Sequence, residues 1–161
     1  MRQPIQVVVH CVCDTLSGRR YLMLLRVDPP PAESTDRRPF WQPVTGGVEG
    51  DETVETTAAR ELFEETGFRP SAMFQVEPSY TIRIPAEMKR RHGFVVDKCP
   101  VHVFCARIES PTAPQLDSRE HTAYRWCTLD EALTLAYWPQ DRKSLQQIDL
   151  LLSGEAPAVE E

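Results

Sequence analysis

The first part of the chain alternates short apolar runs with turn residues. Val and Ile dominate Ile5–Cys13, a second apolar run covers Tyr21–Arg26, and turn-forming residues occupy positions 14–18 between them. Two short apolar runs joined by such a turn predict a β-hairpin. A third run, Phe40–Val44, leads into Gly46-Gly47, where the freedom of the glycine backbone predicts a sharp change of direction.

Residues 27–38 and 53–67 differ in what they predict. Three consecutive prolines, Pro29–Pro31, lie among polar residues in the first segment and exclude a central strand or a continuous helix. In the second segment, Thr53 is a typical N-cap, and Gly67 stands where a left-handed residue often ends a helix. The sequence therefore predicts a loop at 27–38 and a helix over Val54–Thr66.

The second half of the chain predicts further strands and two closing helices. The expected elements are strands at Phe74–Ile84, Val101–Ile108 and Ala123–Cys127, with a basic loop, Ala86–Gly93, between the first two. Thr128 and Glu131 have the spacing of a capping box that opens a short helix. Pro139 is expected to begin a second helix that runs to about Leu152.

These elements predict one domain, residues 1–152, followed by a small, polar and acidic tail at 153–161 that we expect to be frayed. The length of 161 residues is close to that of one ordinary domain. Strands surround a central helix, and helices close the chain. The fold class that follows is α/β, with a mixed sheet covered by helices on both faces.

Composition and charge narrow the classes of function. The chain is 41% hydrophobic, which suits a soluble globular protein and not a membrane protein. Its net charge of −6 repels phosphate backbones, so bulk nucleic acid is not expected as a partner. No membrane partner is expected either. A small anionic substrate fits if a bound metal ion neutralises the site. The oligomeric state is left open.

The cysteines indicate a reducing compartment. There are five, an odd number, and none of them forms a CxxC pair. We therefore expect reduced, mostly buried thiols. The N-terminal segment has no long apolar run of the kind found in signal peptides, so the expected location is the cytoplasm.

One helix face concentrates the candidate chemistry. Each helical residue turns about 100°, so Glu61, Glu64 and Glu65 fall on one face at positions i, i+3 and i+4. Their mutual repulsion is expected to raise the pKa of at least one of them when no metal is bound. Mg²⁺ prefers oxygen ligands and phosphate oxygens, so the cluster predicts a magnesium site, with Mn²⁺ as an alternative ion.

Residues 46–68 match the pattern G-x5-E-x7-R-E-U-x-E-E-x-G-U, in which U is a bulky aliphatic or aromatic residue. The segment thereby resembles the signature of the Nudix superfamily. The resemblance implies an α/β/α sandwich with a mixed sheet. It implies metal ligation by Glu61, Glu64 and Glu65, assisted by a backbone carbonyl near Thr45 or Gly46. It also implies a salt bridge between Glu52 and Arg60 that fixes the loop to the helix.

Two further segments look similar to bacterial dihydroneopterin triphosphate pyrophosphatases of this superfamily. They are Phe40-Trp41-Gln42 and the stretch Glu120-His121-x-Ala123-Tyr124-x-Trp126. The likeness implies that Glu120 is a fourth carboxylate beside the metal. Glu120 and Glu64 are both candidates for the general base. His121 suits a structural role and a proton carrier equally.

Three residues are expected to contact the substrate. Trp41 can stack on a planar ring while Gln42 reads the edge of that ring by hydrogen bonding. Arg26, at the end of a predicted strand, either binds phosphate or caps a sheet edge.

The activity implied by the resemblance is Mg²⁺-dependent hydrolysis of a phosphoanhydride in a small molecule. Dihydroneopterin triphosphate, cleaved to the monophosphate and pyrophosphate, is the favoured substrate. Two alternatives are a nucleoside triphosphate pyrophosphatase and a dinucleoside polyphosphate pyrophosphatase. A third, of a different class, is a catalytically silent Nudix-like ligand sensor, and the intact set of carboxylates weighs against it.

Overall fold

A mixed β-sheet forms the framework of the computed structural model, which describes residues 1–27 and 38–154. Within these residues the strands are β1 Arg2–Thr15, β2 Gly18–Arg26, β3 Phe40–Gln42, β4 Val44–Glu49, β5 Ala72–Arg83, β6 Lys98–Arg107 and β7 His121–Cys127. The helices are α1 Val54–Thr66, α2 Ala86–His92, α3 Leu129–Leu135 and α4 Pro139–Gly154.

The sheet follows the order β3-β2-β1-β6-β5, with β4 also paired to β1 and β7 also paired to β2. The predicted hairpin is confirmed, because β1 and β2 are antiparallel and Thr15 pairs with Gly18 at the turn. β1 and β6 are parallel, whereas the other strand pairs are antiparallel. The expected α/β class with a mixed sheet is confirmed.

Helices cover both faces of the sheet, and each face has its own apolar cluster. On the face covered by α1, which we call the α1 face, the cluster includes Val9, Leu24, Ala58, Leu62 and Phe104. On the opposite face, which we call the α4 face, the cluster includes Val12, Met23, Val103, Leu145 and Ile148. Full burial of one such side chain contributes about 1.5–3 kcal/mol, so these clusters hold both helices on the sheet.

The ends of α1 lie where the sequence predicts them. The Thr53 hydroxyl accepts a hydrogen bond from the backbone N–H of Thr56 at 3.1 Å. Gly67 has a φ of 76°, and its N–H donates to the carbonyl of Phe63 at 2.8 Å. The capping box that opens α3 is also present, with both hydrogen bonds between Thr128 and Glu131 formed. α4 begins at Pro139, as predicted.

One predicted loop is a helix. The segment Ala86–Gly93 was expected to be a basic loop, but its first seven residues form α2. The Lys89 N–H donates to the carbonyl of Pro85 at 3.0 Å, and Gly93 closes the helix with a φ of 71°. The helix presents no buried residue, so it lacks the apolar stripe on which recognition from the sequence depends.

The region around the two glycines also differs from the prediction. Pro43 lacks an N–H group and divides the expected strand Phe40–Val44 between β3 and β4. Gly46 and Gly47 do not turn the chain; they lie inside β4, where they pair with Val7 and Gln6 of β1. Glycine leaves room here for the side chains of other residues to approach the backbone of β4 closely, as described below for Gly46.

Two predicted segments lie largely outside the described residues. They are the proline-rich loop, of which 28–37 are not described, and the tail, of which 155–161 are not described. All five cysteines are buried and free, in agreement with the prediction of reduced thiols. Among the described helices, none combines the length and the apolar character needed to span a membrane.

Candidate functional site

Two glutamates of α1 face the sheet. Glu65 is 2% exposed, and the Glu61 side chain is 15% exposed. They lie four residues apart, so one stands above the other on the same helix face. The Glu61 carboxyl group lies so close to β4 that a methyl group on Gly46 would overlap it. Gly46 therefore leaves room for the Glu61 carboxylate in its observed position.

Burial and proximity perturb both acids. Burial is the main cause that raises the pKa of Glu65, and the negative charges of Glu61 and Glu120 raise it further. Burial also raises the pKa of Glu61. Burial and the neighbouring negative charges therefore oppose the charged form of Glu65 when no cation is bound.

Arg60 joins the glycine loop to the helix. Its guanidinium donates to both oxygens of Glu52, at 2.7 Å and 2.9 Å, and to the carbonyl of Gly47 at 3.0 Å. The same side chain donates to Glu61 at 3.1 Å and to Glu64 at 3.2 Å. The hydrogen bonds from Arg60 hold the pKa of Glu52 at about 2. A charged, bidentate pair thus ties the loop to α1.

Glu64 stands apart from the other two helix carboxylates. Its side chain is 57% exposed, and its hydrogen bond is to Arg60. The structure therefore brings Glu61 and Glu65 together directly, and connects Glu64 to Glu61 through the guanidinium that both contact.

Glu120 and His121, at the start of β7, complete the cluster. Glu65, Glu120 and His121 each offer a ligand atom, and these atoms lie within 4.8 Å of one another. The Glu65 Oε1 atom and the His121 Nδ1 atom are both buried without a hydrogen-bond partner. These two atoms are 4.0 Å apart.

His121 is fully buried beside Gln42 of β3. Its Nε2 atom lies 3.3 Å from the Gln42 Nε2 atom. Burial is the main cause that lowers the pKa of His121 to about 4, and the charge of Arg26 lowers it further. The imidazole is therefore neutral at pH 7, and one of its nitrogens is an acceptor.

The donor set suits a hard divalent cation. Several carboxylate oxygens converge in a partly buried place, and one of them, Glu65 Oε1, has no hydrogen-bond donor. Burying a carboxylate oxygen without a hydrogen-bond donor destabilises the folded protein unless a positive charge compensates it. Oxygen-rich sets of this kind fit Mg²⁺ or Mn²⁺ better than soft metals.

Arg26 lies beside the cluster, and its side chain is 28% exposed. Its Nη1 atom is 3.6 Å from Glu120 Oε1. The backbone holds the two strands together here, because the Val27 N–H donates to the Glu120 carbonyl at 2.9 Å. The guanidinium is thus placed to attract an anionic group that approaches the carboxylates.

The structure does not bring Trp41 to this cluster. Neighbouring residues of a strand point to opposite faces, so Trp41 and Gln42 cannot share one pocket wall. Gln42 pairs with Leu24 on the α1 face, whereas Trp41 packs against the apolar cluster of the α4 face. The structure therefore separates Trp41 from Gln42, and the contact of each with the substrate ring stays a prediction.

Strand alternation places other aromatic residues on the α1 face. Tyr124 also pairs with Leu24, so it shares that face with Gln42, and it is 38% exposed. Trp126 stacks on Phe68 with centroids 6.1 Å apart, and its Nε1–H donates to the Thr112 carbonyl. Tyr124 is not among the substrate-binding residues predicted from the sequence. Side chains alternate along a strand, so the spacing of two residues between Tyr124 and Trp126 predicts that both lie on the same face.

Comparisons with known proteins identify the family of this chain. A family model described as "NUDIX domain" matches residues 4–148. A dihydroneopterin triphosphate diphosphatase from Haemophilus influenzae is 31% identical over 137 residues, which cover 83% of this chain and 78% of that protein. A bis(5'-nucleosyl)-tetraphosphatase from Rattus norvegicus is 32% identical over 117 residues, covering 71% and 74%.

Solved structures show the same fold. A Nudix hydrolase from Listeria monocytogenes superposes with a TM-score of 0.77 at 25% identity, covering 95% of this chain and 97% of that one. The dihydroneopterin triphosphate pyrophosphohydrolase of E. coli superposes with a TM-score of 0.70 at 24% identity, covering 91% and 94%.

Proposed function

Because the chain belongs to the Nudix family and is a hydrolase acting on acid anhydrides, we propose that it cleaves dihydroneopterin triphosphate to the monophosphate and pyrophosphate with Mg²⁺. One observation carries the proposal: buried and half-buried carboxylates converge around a Glu65 oxygen that has no hydrogen-bond donor. A site built in this way is costly in the free protein and becomes favourable when a cation binds.

Five groups would hold the metal. They are the carboxylates of Glu61, Glu64, Glu65 and Glu120 and the backbone carbonyl near Gly46. A bound Mg²⁺ supplies positive charge that stabilises the phosphate oxygens of the reacting anhydride and favours ionisation of water. Mn²⁺ has similar ligand preferences and is expected to substitute.

The protein's own groups position the reactants and accept a proton. Arg60 keeps Glu61, Glu64 and the glycine loop in a fixed arrangement, and Arg26 attracts the phosphates. The oxygen of water forms a bond to phosphorus while the bridging oxygen departs with pyrophosphate. The proton released by the water passes to a carboxylate, for which Glu120 and Glu64 are the candidates.

Glu120 has the stronger claim as the base. Its side chain is 41% exposed, so water can reach it, and it lies beside Glu65 and Arg26. Glu64 is more exposed, but its carboxylate already accepts a hydrogen bond from Arg60. Replacing each by glutamine compares the two candidates. Both variants should bind Mg²⁺ more weakly, because both residues are proposed ligands, and at saturating Mg²⁺ the variant that has lost the base should have the lower kcat.

The ring of the substrate is proposed to bind on the α1 face. Gln42 and Tyr124 share that face, and an exposed tyrosine can stack on a planar bicyclic ring. Two relatives, from Haemophilus influenzae and E. coli, at 31% and 28% identity, bear the name dihydroneopterin triphosphate diphosphatase. Their similarity supports a pterin substrate for this chain.

A turnover screen tests the proposal. Purified protein is incubated with Mg²⁺ and dihydroneopterin triphosphate, GTP, dATP or diadenosine tetraphosphate, and the products are identified by mass. We expect kcat/KM for dihydroneopterin triphosphate to exceed the others by at least about tenfold, with pyrophosphate released. Tyr124→Ala should reduce this preference more than Trp41→Ala, its matched aromatic control on the α4 face.

A second candidate is hydrolysis of a dinucleoside polyphosphate. The similarity to the rat bis(5'-nucleosyl)-tetraphosphatase, at 32% identity, supports it. Preferential cleavage of diadenosine tetraphosphate would replace the pterin proposal with this one. Saturable binding without turnover of any of the four compounds would instead support a silent ligand sensor.

A further inference from the structure

The contact between Gln42 and His121 determines which nitrogen of the imidazole carries the proton. The Gln42 Nε2 atom, a donor, lies 3.3 Å from His121 Nε2. Two N–H groups cannot hydrogen-bond to each other, so His121 Nε2 must accept. A neutral imidazole with an accepting Nε2 has its proton on Nδ1. The N–H group of His121 therefore belongs to the nitrogen on the side of Glu65.

The two buried atoms without partners then become complementary. His121 Nδ1 carries a hydrogen, Glu65 Oε1 carries lone pairs, and the atoms are 4.0 Å apart. This distance is longer than a hydrogen bond but short enough for the N–H dipole to attract a negative carboxylate. Glu65 also faces the repelling charges of Glu61 and Glu120, which the more weakly acting charge of Arg26 offsets in part.

We propose that Gln42 fixes His121 in the Nδ1–H tautomer and that His121 thereby positions the Glu65 carboxylate for metal binding. The inference rests on the proposed function, because it takes Glu65 to be a metal ligand. Gln42 and His121 are positioning residues that act through Glu65. Groups that orient metal ligands in this way commonly change metal affinity by about 10–100-fold when they are removed.

The same contact decides against His121 as a metal ligand. Its Nδ1 lies close enough to Glu65 and Glu120 for all three to share an ion. Ligation through Nδ1 would require a lone pair there and therefore a proton on Nε2. That proton would point at the amide N–H of Gln42, so ligation by His121 would break the contact with Gln42.

The first measurement is the tautomer of His121 in the metal-free protein. Long-range ¹H–¹⁵N correlation spectra distinguish a protonated ring nitrogen from an unprotonated one, and His121→Asn identifies the signals among the four histidines. We expect a neutral ring with the proton on Nδ1. A proton on Nε2 overturns the inference and leaves the proposed function intact.

The second measurement is the affinity for Mn²⁺, followed by calorimetric titration. Gln42→Met removes the donor to His121 at similar volume, and we expect it to weaken Mn²⁺ binding by about tenfold. Gln75→Met is the matched control, because Gln75 Nε2 contacts a different histidine, His102, at 3.0 Å. The control should bind Mn²⁺ as the wild type does.

Two variants at His121 separate positioning from packing. His121→Asn keeps an N–H group near the position of Nδ1, whereas His121→Leu fills the space without a donor. We expect the asparagine variant to bind Mn²⁺ more tightly than the leucine variant. Equal affinities in the two variants, or an unchanged affinity in Gln42→Met, contradict the positioning role. Failure of the wild type to bind Mn²⁺ overturns this role together with the proposed function, while the tautomer assignment is decided by the spectra alone.

Discussion

Glu65 and Asp141 are two buried carboxylates on opposite faces of the same sheet. Glu65 lies in the last turn of α1 and is 2% exposed, and Asp141 lies in the first turn of α4 and is 3% exposed. Burial raises the pKa of both, and it raises that of Asp141 to about 7. Judged by burial and pKa alone, the two residues are equivalent.

Their surroundings are different. Glu65 faces two further carboxylates and a histidine nitrogen, and one of its oxygens has no hydrogen-bond partner. In the described part of the chain, no such group of metal-ligating atoms includes Asp141. The pKa of Asp141 is raised by burial alone and is lowered slightly by Arg142. A perturbed pKa therefore marks a candidate metal site only where several ligand atoms converge.

The largest expected effect is the loss of catalysis when the carboxylate cluster is altered. Glu64→Gln and Glu65→Gln should each lower kcat by at least about 100-fold, because each removes a metal ligand or base from a preserved helix. Glu55→Gln, on the exposed first turn of the same helix, is the control and should retain activity. Steady-state rates at saturating Mg²⁺ measure this. Near wild-type turnover in both site variants would remove α1 from the proposed mechanism.

A smaller loss is expected when the room for Glu61 is removed. Gly46→Ala places a methyl group where the Glu61 carboxyl group lies, so the carboxylate must move. We expect kcat/KM to fall by about tenfold or more, since small displacements of metal ligands are costly. Gly154→Ala, which meets no atom within 4 Å, is the matched glycine control. Equal kinetics in both variants would show that the contact with Gly46 is dispensable.

The smallest effect concerns Asp141 and is a pH dependence of stability. Its folded pKa of about 7 is higher than its ordinary value of 3.8, so the folded state binds more protons than the unfolded state between these values. The free energy of unfolding therefore falls as pH rises through this window, by at most about 1.4 kcal/mol per pH unit. Asp141→Asn should remove the contribution of Asp141 to the dependence of the unfolding free energy on pH.

Denaturant unfolding of the wild type and of Asp141→Asn at several values between pH 5 and 7.5 measures the difference. The variant should gain stability relative to the wild type as pH rises. Asp130→Asn, an exposed change in α3, is the control. If the free energies of unfolding of the wild type and Asp141→Asn differed by a constant amount from pH 5 to 7.5, Asp141 would already be ionised in the folded protein at pH 5.

Local sequence signals predicted most of the fold. Thr53 and Gly67 fixed both ends of α1, and Pro139 marked the start of α4. The errors fell where local rules are ambiguous. Helix α2 has no buried residue and hence no periodic apolar pattern. The glycines of β4 leave room for other side chains that approach the strand closely. Glycine is also common in turns, so the sequence alone does not distinguish the two roles.

The site could be predicted only in part. The i, i+4 spacing of Glu61 and Glu65 places both on one face, and the helix preserves that relation. The position of Trp41 opposite Gln42 could have been predicted from strand alternation, once β3 was assigned. The contact of Gln42 with His121 spans 79 residues of sequence. It depends on the pairing of both β3 and β7 with β2, which no local pattern determines.

The stabilisation of the metal-free protein by Mg²⁺ tests the central claim most directly. An ion at ten times its dissociation constant adds about 1.4 kcal/mol to the free energy of unfolding, which raises Tm by about 3–5 °C in a chain of this size. The wild type and Asp141→Asn should both show this shift, and Glu65→Gln should lose most of it. A triple variant with glutamine at Glu61, Glu64 and Glu65 should show none. A wild-type melting curve that is indifferent to millimolar Mg²⁺, or equal shifts in the wild type and the triple variant, would contradict a metal site at these carboxylates.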